Sequence, residues 1–198
     1  MEKSLKAIKA HAFLLEISKK MQHDSFHKFM QTADIISIES RVDKSLSLTF
    51  FLVKTIIGQQ VSVKAAESIW LKVRNVLNNP LSNISLDLLR EQGLSKPKAS
   101  YVHGVILDKK IQSLDRASLK KLSDEDLSNL FLSIKGVGPW TLGVIRMFYI
   151  QDSNVFLKGD LAINKGLGNF FNSIKYDGED YSPYKTYLCL YLWRSLKS

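Results

Sequence analysis

A chain of 198 residues, 45% of them hydrophobic, can bury a good core in one domain or in two small lobes. Its net charge of +9 and pI near 9.5 favour a polyanionic partner, nucleic acid ahead of a membrane surface. The single cysteine, Cys189, excludes a disulfide framework or a four-thiolate iron–sulfur cluster, and the four histidines (His11, His23, His27, His103) lack metal-ligand spacing. No signal-peptide core opens the chain and no apolar run reaches membrane-span length, so the expected setting is intracellular and off the membrane. Alternating apolar runs are scarce and heptad-like spacings are many, which predicts an all-α fold.

In chain order, Ser4 to Met21 predicts a helix with Leu5, Ile8, Ala12 and Leu15 on the buried stripe. A second, starting near Ser25, turns Phe26, Phe29, Met30 and Ala33 inward. Asp34 to Leu48 is less periodic and reads as connection. From Thr49 two apolar helices follow, one on Phe50, Val53, Ile56 and Ile57, the next on Val63, Ala66, Ile69, Trp70 and Val73. Gly58-Gln59-Gln60 interrupts them. A buried amide without a partner costs roughly 1–3 kcal/mol, so these glutamines either bond helix ends at the junction or project into a nucleic acid.

Ser85 to Glu91 predicts a short helix stopped at Gly93, and Ser95 caps a longer one with Pro97 in its first turn and Tyr101, Val105 and Ile106 facing inward. The lysines Lys96, Lys98, Lys109 and Lys110 read as a solvated face. Ser123 caps the next helix, which delivers Leu130, Phe131 and Ile134 to Gly136-Val137-Gly138-Pro139. Two glycines permit a tight turn with bare amides, Pro139 suits the first turn of a helix, and amides at a helix N-terminus suit an anion such as phosphate. The same turn also serves as an ordinary corner between helices. Trp140 to Tyr149 is apolar on nearly every face and predicts a buried spine helix. After a polar loop, Asp160 stands at the start of another helix, where an aspartate is commonly just a cap. Ser182-Pro183 opens the last helix, whose aromatic stripe of Tyr184, Tyr187, Tyr191 and Trp193 reads as core, as does Cys189.

Four segments, LVKTIIGQQVSVKAA (Leu52–Ala66), IKGVGPWT (Ile134–Thr141), VFLKGDLAINKG (Val155–Gly166) and SPYKTYLCLYLWR (Ser182–Arg194), match the helix–hairpin–helix DNA glycosylase superfamily in order and spacing. Within it the chain resembles the bacterial type II 3-methyladenine-DNA glycosylases, in a compact form without the N-terminal β-rich domain of larger members. The resemblance spans roughly Thr49 to Arg194. It implies two helical lobes flanking a cleft: residues 49–150 as a central bundle with the hairpin at 131–148, and residues 1–48 with 151–198 as the second lobe.

The resemblance also implies an activity: hydrolysis of the N-glycosidic bond of alkylated purines, 3-methyladenine and 7-methylguanine, after the nucleotide is flipped out of duplex DNA. Asp160 would be the catalytic carboxylate, because bond cleavage builds oxocarbenium character that a nearby anion stabilises. Trp140 and Trp193 correspond to base-pocket aromatics, which attract a cationic base by stacking and cation–π interaction. Val144 and Leu161 stand where larger members place pocket tyrosines. Bifunctional relatives have a nucleophilic lysine where this chain has Trp140, so the implied enzyme is monofunctional, with water as acceptor. Gln60 corresponds to the wedge that fills the flipped nucleotide's gap, and Gln59 beside it reads as more structural. Lys135, Gly136, Val137 and Gly138 would meet DNA phosphates. The family hairpin often carries Na+ or K+ on carbonyls, here those of Leu132, Ile134 and Val137, and no cofactor is required. The implied partner is double-stranded DNA with damaged bases, bound by a monomer, in the cytoplasm of a bacterium or the nucleus of a eukaryote. Two alternatives stay open: a sibling glycosylase for deaminated or oxidised bases, and a DNA-binding protein that kept the hairpin without the chemistry.

Overall fold

The computed structural model of the chain describes residues 4–171 and 173–196, and every regular element among them is helical, so the all-α expectation holds. In chain order these are α1 (Leu5–Lys20), α2 (Asp24–Thr32), α3 (Leu48–Gly58), α4 (Val63–Val76), α5 (Leu86–Glu91), α6 (Lys96–Leu107), α7 (Lys109–Ser113), α8 (Arg116–Leu119), α9 (Asp124–Leu132), α10 (Pro139–Val144), α11 (Leu161–Phe171) and α12 (Lys185–Ser195). They group into two compact units: residues 43–145, and residues 1–42 with 146–198. No helix among the described residues is long and apolar enough to cross a membrane.

The unit of residues 43–145 is built around α3, which packs on α4, α6, α7 and α10. Leu48, Leu52, Val53, Ile56 and Ile57 are buried on it, each contributing about 1.5–3 kcal/mol of burial. Serines punctuate the unit. Ser47, Ser62, Ser85, Ser95 and Ser123 each accept a hydrogen bond from the backbone amide three residues on, at the starts of α3, α4, α5, α6 and α9. The α4 stripe is narrower than its pattern implies: Trp70 and Val73 are buried, whereas Val63 is 77% exposed.

The other unit is centred on α12, which packs on α11 and α1. Seven consecutive residues, Thr186 to Leu192, are buried, so this helix is covered on all sides. Buried tyrosines need partners for their hydroxyls. Tyr191 Oη meets His11 Nδ1 at 2.6 Å and accepts the Ile36 amide at 3.2 Å, and Tyr181 Oη meets His23 Nδ1 at 2.8 Å. Cys189 is buried, as its apolar run predicts. Burial pushes its thiol up to about 12, which leaves it inert at neutral pH.

Three expectations need correction. The buried face of α1 is Ala7, Ala10, Leu14 and Ser18, while Leu5 and Ile8 are 68% and 43% exposed. Small residues let the helix approach its neighbours closely, and Ser18 is tolerated because its hydroxyl bonds the Leu15 carbonyl and His27 Nδ1, each at 2.9 Å. The spine is not one α-helix. α10 runs only to Val144 and the chain continues as a π-helical turn over Ile145–Ile150, a form that recurs at functional sites. The last helix begins at Lys185 rather than at Ser182-Pro183, with a 3-10 turn over Glu179–Tyr181 before it.

Candidate nucleic-acid interface and carboxylate

In the unit of residues 43–145, α9 ends at Leu132 and the turn to α10 is closed by two backbone bonds, Ile134 N to the Phe131 carbonyl at 3.1 Å and Val137 N to the Ile134 carbonyl at 3.0 Å. Gly136 has a φ of +88°, and a Cβ on it would stand 2.5 Å from the ring of Tyr101, so no other residue fits. Gly138 is extended and caps α10, Pro139 is the first helical residue, and no atom lies within 4 Å of where a Gly138 Cβ would be. The turn is therefore open on that side. Val137, expected to meet phosphates, is buried with its amide taken by the Ile134 carbonyl, whereas Lys135 is exposed beside it.

The glutamine pair divides its work. Gln59 sends its side-chain amide to the Gly136 carbonyl at 2.9 Å and to Thr141 Oγ1 at 3.0 Å, tying the end of α3 to the turn. Gln60, next in line, has a φ of +54° and its side chain is exposed. A non-glycine residue in that region is uncommon and marks a loop whose shape is imposed by its surroundings. Lys98 is a residue that sequence reasoning missed. Its Nζ donates to the Ile57 carbonyl at 2.8 Å and the Gln59 carbonyl at 2.5 Å, so it caps the C-terminus of α3 instead of lying on a solvated face. Burial against these carbonyls lowers its pKa from the ordinary lysine value. Trp140, on the first turn of α10, is 36% exposed, and Val144 is half-buried.

The other unit holds Asp160, half-buried at the N-terminus of α11. Its backbone carbonyl accepts the Asn164 amide at 2.9 Å, and its Oδ1 accepts the Ile163 amide at 2.9 Å, so it is a helix cap. It is also more than a cap. Trp193 Nε1 donates to the same Oδ1 at 3.0 Å, and the Trp193 ring lies parallel to Phe148 at 6.1 Å and 14°. Two N–H donors on one oxygen fix the orientation of the carboxylate. Leu161, the next residue, is 86% exposed.

The loop that delivers Asp160 is stapled down by residues whose role the sequence did not reveal. Arg146 Nε and an Nη both donate to Asp152 Oδ2, at 3.0 and 2.6 Å. Thr186 Oγ1 donates to the Asp152 carbonyl at 2.8 Å and accepts the Val155 amide at 3.0 Å, and the Thr186 amide bonds the Ser153 carbonyl at 3.0 Å. The loop thus rides on the π-helical turn at one end and on α12 at the other. Among the described residues no group of histidine, cysteine and carboxylate side chains could hold a metal ion.

Comparison with known proteins adds to this geometry. No family model matches the chain. It is similar to DNA-3-methyladenine glycosylase 1 of Schizosaccharomyces pombe, with 24% identity over 163 residues, 74% of this chain and 71% of that protein. Across the curated relatives it matches, the aligned stretch spans between 41% and 71% of their length. Among solved structures, a DNA-3-methyladenine glycosidase from Bacillus halodurans superposes with a TM-score of 0.72 at 26% identity, over 90% of this chain and 86% of that one. The 3-methyladenine DNA glycosylase Mag1 of S. pombe, in complex with abasic DNA, superposes with a TM-score of 0.80 at 18% identity, over 96% and 97% of the two chains. In sequence and in fold, the chain is similar to proteins named 3-methyladenine DNA glycosylases.

Proposed function

We propose that this protein is a monofunctional DNA glycosylase that releases alkylated purines, 3-methyladenine and 7-methylguanine, from duplex DNA as a monomer. The observation that carries the reading is Asp160, a carboxylate oriented by the Ile163 amide and the Trp193 indole, in a chain similar to proteins named for that activity. The cap accounts for the Ile163 bond, and the Trp193 bond to the same oxygen is what favours chemistry over DNA binding alone.

The chemistry follows from the charge on the lesion. Alkylation at N3 of adenine or N7 of guanine makes the base cationic, so the C1′–N bond breaks with its electron pair leaving on a neutral base, and no general acid is needed. The sugar is left with oxocarbenium character, which the Asp160 carboxylate stabilises. Water adds to C1′ and gives up its proton, leaving an intact abasic strand. Ring faces such as those of Trp140 and Trp193, and apolar side chains such as Val144 and Leu161, are the groups a cationic base stacks against. Indole is no amine nucleophile, so no covalent adduct with the sugar forms. The backbone amides of Gly136 and Gly138, with Lys135, grip phosphates, and Gln60 fills the space the base vacates. The carbonyls of Leu132, Ile134 and Val137 are hard oxygen donors that suit Na+ or K+, and the Ile134 carbonyl keeps a second lone pair beside its bond to Val137 N. Such an ion would offset phosphate charge. DNA in the bacterial cytoplasm or the nucleus is the setting this activity requires.

The test is base release from duplexes carrying single lesions, read with and without hot alkali. Methylated purines should leave faster than hypoxanthine or uracil, and strands should break only with alkali or heat. Asp160→Asn keeps the helix cap and loses the charge; base release should fall by about a hundredfold or more, with duplex affinity kept. Excision retained at more than a few per cent of wild type would sink the assignment of Asp160. Faster release of hypoxanthine or uracil would move the protein to the sibling reading. Borohydride trapping of a protein–DNA adduct would contradict the monofunctional one.

A further inference from the structure

The loop at Gln60 has little packing to hold it. Val61 and Val63 on either side of Ser62 are 39% and 77% exposed, and a recess of about 240 Å³ lies behind the loop, lined by Gln60, Val61, Ile69 and Lys98 among others. What fixes the loop is polar. Gln59 is bonded at both ends: its side-chain amide reaches the Gly136 carbonyl and Thr141 Oγ1, and its own carbonyl receives Lys98 Nζ. Lys98 in turn sits in the first turn of α6, whose Tyr101 ring fills the space where a Gly136 side chain would be. Three segments, the end of α3, the start of α6 and the turn before α10, are thereby joined through one glutamine and one lysine, directly beside a residue held at a left-handed φ.

We infer that Gln59 and Lys98 are positioning residues that strap the wedge at Gln60 to the phosphate-gripping turn, so that seating the turn on the backbone sets the depth at which Gln60 enters the duplex. The inference rests on the reading of Gln60 as the wedge and of the turn as the phosphate clamp. In the strap, the Gln59 side-chain amide supplies two donor hydrogens, and Lys98 supplies a charge-assisted pair of bonds to the Ile57 and Gln59 carbonyls at the end of α3, the strong kind of hydrogen bond. The strap acts only where strands must be parted. A single strand, with no partner base to displace, does not need it.

The experiment compares wild type with Gln59→Met, Lys98→Met, Lys98→Arg, Thr141→Val and Gln60→Ala. Single-turnover release of 7-methylguanine is measured from a duplex and from the same oligonucleotide single-stranded. Fluorescence of 2-aminopurine opposite an abasic analogue in a duplex reports unstacking by the wedge. Gln59→Met and Lys98→Met should each lower the duplex-to-single-strand excision ratio by about tenfold, as loss of one or two such bonds implies, and should erase the 2-aminopurine signal. Thr141→Val, which leaves the bond to Gly136, should give a smaller loss. Lys98→Arg, still able to donate to both carbonyls, should restore most of the ratio. The double variant Gln59→Met with Lys98→Met should lose little more than either single one, because both break one strap. Equal losses on duplex and single strand, an unchanged 2-aminopurine signal, or additive losses in the double variant would overturn the inference. The control separates it from the reading beneath: if Gln60→Ala itself leaves ratio and fluorescence intact, the wedge assignment fails; if Gln60→Ala loses them while Gln59→Met and Thr141→Val keep them, only the strap fails.

Discussion

In the unit of residues 43–145 the groups we propose for a ligand are backbone amides of a turn, and side chains hold that turn: Gln59 on the Gly136 carbonyl, and the Tyr101 ring packed into the space Gly136 leaves. In the other unit the proposed group is a side chain, the Asp160 carboxylate, and it is held by a backbone amide and an indole N–H. The difference predicts how each region fails. A turn made of backbone breaks when a residue no longer fits the fold, so its lesions show first as lost stability. A held carboxylate loses rate when its donors are removed, while the fold survives.

The sharpest way to break that contrast is Gly136→Ala. The new methyl stands 2.5 Å from the Tyr101 ring, at a φ of +88° that an L side chain resists. Left-handed backbone costs about 1–2 kcal/mol and forced overpacking about 1–3 kcal/mol, so a loss of roughly 2–5 kcal/mol is expected. Thermal and urea melts check it, with the melting temperature falling about 2–4 °C per kcal/mol. A variant as stable as wild type with impaired DNA binding would mean that the turn is shaped by its ligand and not by the fold.

Next in size is Trp193→Phe, which keeps a smaller aromatic ring for Phe148 and removes the N–H that bonds Asp160. A hydrogen bond to a charged group contributes about 1.5–3 kcal/mol, so single-turnover excision should slow roughly ten- to hundredfold while the melting temperature and affinity for an abasic duplex stay close to wild type. If the rate does not change, the indole serves as packing and base-stacking surface alone. If the melt collapses as well, the carboxylate region depends on its fold as the turn does, and the contrast disappears.

How far each region was legible in the sequence follows from the same distinction. The turn could be read directly, because Gly136, Gly138 and Pro139 are local: each sits there for a backbone reason that its neighbours reveal. The caps Ser95 and Ser123 were legible for the same cause. Asp160 could be seen as a cap and, through its likeness to a family, as a catalytic carboxylate; its bond to Trp193 joins residues 33 apart in sequence, and no local pattern encodes that. Lys98 was hidden by its type. A lysine in a basic cluster reads as solvated, and only the fold brings it to the carbonyls of Ile57 and Gln59. The buried face of α1 was misread because hydrophobicity ranks Leu5 and Ile8 above Ala7 and Ala10, whereas close helix contact selects small residues.

The smallest effect concerns pH and separates the two units by their histidines. The unit of Asp160 carries His23, bonded through Nδ1 to Tyr181 Oη and ringed by Phe171, Tyr176 and Tyr181. Burial lowers its pKa below the ordinary histidine value, and the nearby Asp180 carboxylate opposes this only in part. Above the unfolded value, near 6.5, His23 is neutral in both states and pH has no leverage. As pH falls through that value the unfolded chain takes up a proton that the folded chain resists, so stability declines until the lowered folded value is reached. The group is partly solvated, and the decline from pH 7.5 to 5.5 should therefore be modest, about 2–4 °C in melting temperature. Hydrogen exchange should locate it in residues 1–42 and 146–198 and leave amides of the turn at Gly136 protected as before. His23→Gln keeps a polar partner for Tyr181 and cannot titrate in this range, so its melting temperature should vary less over the same interval. An equal pH dependence in wild type and His23→Gln would assign the loss to other groups, and loosening at the turn first would reverse the order of the two units.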